Sequence, residues 1–90
     1  MMSSYNHLCA LLQCAVPLRI AELRARGGPT ELDFDTAQDS VLMLVEEGDA
    51  LMARTKRTAL VTGKLIHMAA VLAFLPGGIE CFGARWKVSA

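Results

Sequence analysis

No charge of either sign prevails in this sequence: nine Lys and Arg are matched by nine Asp and Glu over 90 residues. A balanced chain has no net field to draw it onto nucleic acid or an anionic membrane. Cysteine is scarce and odd in number. Cys9, Cys14 and Cys81 lie in apolar stretches, whereas a secreted scaffold of this size carries a denser, even set. Reduced, mostly buried thiols in a cytoplasmic protein are the expectation. Long apolar runs are missing too. Leu65 to Ile79 is 15 residues and contains Pro-Gly-Gly, short of the roughly 18 uncharged residues of a membrane span. Leu8 to Leu18 does not read as a signal peptide, because no basic residue precedes it and Arg19 and Glu22 follow, where a small-residue cleavage site is needed. No membrane association is expected.

Motifs that carry chemistry are equally sparse. There is no Cys-x-x-Cys and no His-x-x-x-His pair, so a metal site would need distant ligands from His7, His67 and the three cysteines. Val61-Thr62-Gly63-Lys64 resembles the end of a phosphate-binding loop. Thr58 stands in place of the upstream glycine, however, and Leu65 in place of the Ser or Thr that meets the metal. A Cys81–His67 nucleophile pair has no third group marked to orient it and no oxyanion hole. A domain this short also has little volume for a pocket of a few hundred cubic ångströms. Neither a cofactor nor enzyme activity is expected.

What the chain does have is apolar surplus. Hydrophobic residues make up 53% and charged residues 20%, against roughly 45–50% and 25% in ordinary domains. Ninety residues make one domain, 1–90, with a thin core. Gly27-Gly28-Pro29 and Pro76-Gly77-Gly78 divide it. In the first segment Tyr5, Leu8, Leu11, Leu12, Ala15 and Val16 share one helical face. Carrying that face past Pro17 brings Arg19, Glu22 and Arg26 onto it, so the apolar phase resets and a kink or break at Pro17 is expected. The second helix starts between Thr30 and Asp35, where several caps compete: Thr30 with Asp33, Asp33 itself, and Asp35 with Gln38. Its apolar face takes Phe34, Ala37, Val41, Leu44, Val45, Gly48, Leu51 and Met52. Gly48 could also stop it. The third helix has no charge between Lys64 and Glu80, and its apolar residues point all round the axis. Such a helix is enclosed by neighbours. Pro76-Gly77 suits the centre of a type II turn, and Phe82 and Trp86 beyond it are large enough to fold back over the core. The expected fold is all-α, a compact three- to four-helix bundle (4–26 kinked at Pro17, 34–53, 57–74) with a returning C-terminal tail, extended or a short strand.

Charge is segregated although it sums to zero: seven acids and no base between Glu31 and Asp49, then Arg54, Lys56, Arg57 and Lys64. This basic turn at a helix N-terminus suits an anion, and makes a small nucleic-acid-associated regulator the second functional reading. Leu42 and Met43 fall on the side of the second helix away from its apolar face, where a partner or a second copy would meet them. His67 is the polar interruption of the third helix, where a partner or a buried hydrogen bond is expected. The ending Ala70-Val71-Leu72-Ala73-Phe74-Leu75-Pro76-Gly77-Gly78-Ile79, with Phe82-Gly83 and Trp86 after it and Glu47-Gly48-Asp49 before it, resembles that of small bacterial proteins with no assigned activity. The resemblance covers about the last 45 residues and implies a bacterial cytosolic origin, without transferring a site. The first functional reading is a non-catalytic, homodimeric protein-interaction module acting as an accessory, regulator or inhibitor.

Overall fold

A computed structural model describes residues 4–53 and 59–88, with side chains for 5–48 and 59–88. Three helices precede a two-stranded hairpin: α1 (Ser4–Ala25), α2 (Glu31–Ala53), α3 (Ala59–Leu72), β1 (Ile79–Cys81) and β2 (Ala84–Trp86). Helix α3 packs on both α1 and α2, which touch each other little. Leu65, Met68, Ala69, Ala70, Val71 and Ala73 are all buried. The alanines matter here, because short side chains let neighbours approach α3 from opposite sides.

Helix α1 runs through Pro17 without ending, so of the expected kink or break the break does not occur. Proline removes one backbone donor and frees the carbonyl four residues earlier, that of Gln13. Pro17 and Gln13 both face solvent, so the freed carbonyl is on the side open to water. The apolar phase does not reset either. Leu8, Leu12, Val16 and Leu23 are buried along one continuous face, and Arg19 interrupts it for a reason given below. The helix ends in a Schellman motif, with Gly27 N–H on the Arg24 carbonyl at 3.1 Å and Gly28 N–H on that of Leu23 at 2.8 Å. Gly27 sits at φ 94°, which an L side chain rarely adopts.

Helix α2 begins at Glu31, three residues before the expected Phe34. Of the competing caps, Thr30 with Asp33 wins. The Asp33 N–H donates to Thr30 Oγ1 at 3.2 Å and the Thr30 N–H donates to Asp33 Oδ2 at 2.8 Å, which satisfies two orphan donors reciprocally. Gly48 leaves helical geometry altogether, at φ 13° and ψ −101°, so α2 is two helical segments joined across a kink at the residue expected to be able to stop it. The buried face is also turned from the expected one. Ala37 and Ser40 are buried while Val41 and Val45 are exposed; α2 meets α3 along one side only, and the Ser40 hydroxyl is satisfied by the Thr36 carbonyl.

The tail is a hairpin, so the protein is mostly helical rather than all-α. Leu75 to Gly78 form the expected type II turn, closed by Gly78 N–H on the Leu75 carbonyl at 2.8 Å with Gly77 at φ 82°. The strands pair antiparallel, Ile79 with Trp86 and Cys81 with Ala84. Their two-residue loop has positive φ at both Phe82 (52°) and Gly83 (75°), the signature of a type I′ turn. Val88 N–H then returns to the Ala73 carbonyl at 2.9 Å. Phe82 and Trp86 are thereby buried against the core.

Candidate functional site

Three polar interruptions of apolar faces meet at one place. Arg19 projects from the core side of α1, His67 from α3, and Asp33 from the first turn of α2. One Arg19 guanidinium nitrogen lies 3.1 Å from His67 Nδ1. His67 Nε2 lies 3.2 Å from Asp33 Oδ1. Arg26, just beyond α1, donates to Asp33 Oδ2 at 2.8 Å. Arg19 also reaches Glu22 one turn on, at 3.6 Å. With Leu23 these side chains line a half-open cavity of about 220 Å³.

The geometry settles the imidazole's state at neutral pH. A guanidinium only donates, so Nδ1 must present its lone pair to Arg19 and the proton resides on Nε2, directed at Asp33. Burial pushes the His67 pKa below its ordinary 6.5, and the Arg19 charge adds to this; Asp33 opposes but does not prevail. The Asp33–His67 contact is therefore a hydrogen bond from a neutral ring onto a carboxylate. Asp33 itself is held below the usual carboxylate range, foremost by the Thr30 N–H, which together with the Thr30 hydroxyl and Arg26 outweighs the effect of burial.

Two cations and two anions surround a neutral ring, with every side chain engaged by another. The imidazole lone pair that a general base would use is occupied by Arg19, and the lining contains no hydroxyl or thiol nucleophile. Cys81 belongs to another cluster, beside Cys9, where burial pushes its thiol up to about 11. A thiol so raised is protonated at neutral pH and a poor nucleophile. What the arrangement does is clasp three helices together by hydrogen bonds at the end of the bundle away from the hairpin.

The other sequence-predicted residues disperse. Leu42 is 50% exposed on the outer side of α2. Met43, expected beside it, turns inward and packs on the core. Exposed Lys64 lines a second, smaller cavity of about 130 Å³ with Thr36, Asp39, Ser40 and Met43. Arg54, Lys56 and Arg57 lie outside the described residues. Arg19, Arg26 and Asp33 were not singled out as a site in the sequence, although a signal existed: Arg19 and Arg26 fell on the continuation of the apolar face, and His67 on an apolar helix. Among the described residues no group of three or more His, Cys, Asp or Glu is placed to hold a metal ion. No helix among them is long and apolar enough to cross a membrane. No family model matches the chain, and neither a curated protein nor a solved structure matches it.

Proposed function

We propose that the protein is a non-catalytic interaction module that self-associates and binds another protein, as an accessory or regulator in a bacterial cytosol. The observation that carries this reading is the set of large apolar side chains left on outer helix faces: Leu11 and Leu18 on α1, Leu32, Leu42 and Val45 on α2, Leu60 on α3. With 53% hydrophobic residues the chain has more large apolar side chains than its thin core takes in, and that surplus is what a contact surface would use. The clasp supports the non-catalytic part, since its imidazole is already bonded on both nitrogens. The cytosolic setting rests on the three free thiols and the bacterial one on the resemblance of the chain's ending.

Light scattering coupled to size exclusion, from low to high micromolar protein, tests the self-association. The expected result is a mass that climbs from monomer toward dimer with concentration. A monomer mass throughout the range would remove self-association from the proposal.

A further inference from the structure

The exposed residues of α1 are spaced as a helix-pairing seam. His7, Leu11, Cys14, Leu18, Ala21 and Ala25 all face solvent, and they follow one another at intervals of four, three, four, three and four. That rhythm keeps one stripe facing a partner helix. Leu18 is 68% exposed at its middle, and the terminal alanines would let a second backbone come close. The opposite face of α1, through Leu8, Leu12, Val16 and Leu23, is the one buried in the domain.

Charge identifies the occupant. A two-fold interface sets a surface against itself, so any charge near the axis meets its own sign. From Tyr5 to Leu18 the sequence has no charged residue. The outer face of α2 is the contrary case, with Asp35, Asp39 and Glu46 exposed around Leu42; two copies meeting there would repel. We infer that the solvent face of α1 is the surface on which two copies of this chain pair, with Cys14 near the two-fold axis. Cys14 faces its mate in parallel, in-register pairing and equally in antiparallel pairing centred on it. The seam from His7 to Ala25 is about 27 Å long, small beside the interfaces of obligate dimers. The pairing is accordingly concentration-dependent and reversible.

This inference rests on the self-association proposed above, and the test separates the two. The full chain, its Leu18→Glu variant, its Leu42→Glu variant and its Cys14→Ser variant are compared by sedimentation equilibrium and by treatment with a short bis-maleimide. Leu18 and Leu42 are exposed, so circular dichroism should report an unchanged fold in both Glu variants. The expected result is a covalent dimer from the wild type and from Leu42→Glu, none from Cys14→Ser, and self-association weakened at least about tenfold in Leu18→Glu by a charge buried at the seam. Self-association that survives Leu18→Glu, or a wild-type dimer that Cys14 does not cross-link, overturns the α1 seam while leaving a dimer in place. A wild type that is monomeric throughout overturns both readings.

Discussion

Helices α2 and α3 are both rich in apolar residues, yet they occupy opposite situations. Every residue of α3 from Met68 to Val71 is buried, because α1 and α2 pack on it and the hairpin, hydrogen-bonded to Ala73 through Val88, folds over its end. Helix α2 has a single neighbour of consequence. Only Ala37 and Ser40 among its described side chains are buried, and Val45 is 76% exposed. Apolar residues all round an axis therefore do report enclosure, whereas an apolar stripe on one side states only which residues are able to be buried. How wide a stripe is actually covered depends on how many neighbours the chain can supply.

The sharpest way to break this contrast is to put the same charge on both helices. Val71→Asp places an unpaired carboxylate in fully buried surroundings, at a cost of several kcal/mol, as much as a domain this small has in reserve. It should be unfolded at 25 °C by circular dichroism. Val45→Asp should melt within a few degrees of wild type. If Val71→Asp folds, α3 is not the enclosed helix described here.

The hairpin's share in that enclosure is tested at Gly78. Its φ is 70°, and an added Cβ would run into the Trp86 carbonyl and the Lys87 backbone, neither of which can step aside cheaply. Gly78→Ala should cost about 2–4 kcal/mol from the combined backbone strain and overlap, read from the urea midpoint. Gly77→Ala, with a positive φ but open space around it, should cost less. Equal losses would mean that the close approach of β2 is not what requires glycine.

Much of this was legible beforehand, and the misses have causes. The enclosure of α3, the type II turn at Pro76-Gly77 and the return of Phe82 and Trp86 followed from local patterns. The hairpin did not, because Ile79–Cys81 and Ala84–Trp86 are three-residue strands, too short for alternation to register, and a Phe at positive φ in the loop hides the turn. The continuity of the buried face of α1 past Pro17 was not legible for a more instructive reason. Arg19 on an apolar face reads locally as the end of that face, whereas in the fold it is where the face meets the polar His67 of α3. Local pattern cannot supply a partner 48 residues away. Charges on a core-facing stripe are thus worth pairing against an N-terminal cap Asp and a lone His before a break is inferred.

The clasp itself predicts a pH dependence. His67 has a folded pKa below the 6.5 of the unfolded chain. As pH falls through 6.5 the unfolded state takes up a proton that the folded state resists, so stability declines from there down to the folded value and then levels. Urea midpoints should drop between pH 7 and pH 5. In His67→Gln that drop should largely vanish, leaving Asp33, whose lowered pKa gives stability lost only further down, below its ordinary 3.8. Thr30→Ala should cost about 1 kcal/mol at pH 7 through the lost cap. A pH slope that persists in His67→Gln would assign it to another group and leave the clasp without a titrating member.

The smallest effect separates the outer face of α2 from that of α1. Leu42 lies between Asp39, three residues before it, and Glu46, four after it. Leu42→Lys removes an apolar side chain that is half in water and creates two favourable helical charge pairs, each worth about 0.2–0.5 kcal/mol. The variant should be as stable as wild type or slightly more so, a sign opposite to that at any enclosed position of α3. Its self-association should also match wild type if copies meet along α1, since Leu42 lies on a different helix. If Leu42→Lys stays stable but no longer dimerises, the apolar residues of α2 are an interface after all. The acids around them would then face the basic stretch of a second copy, and the seam on α1 would lose its claim.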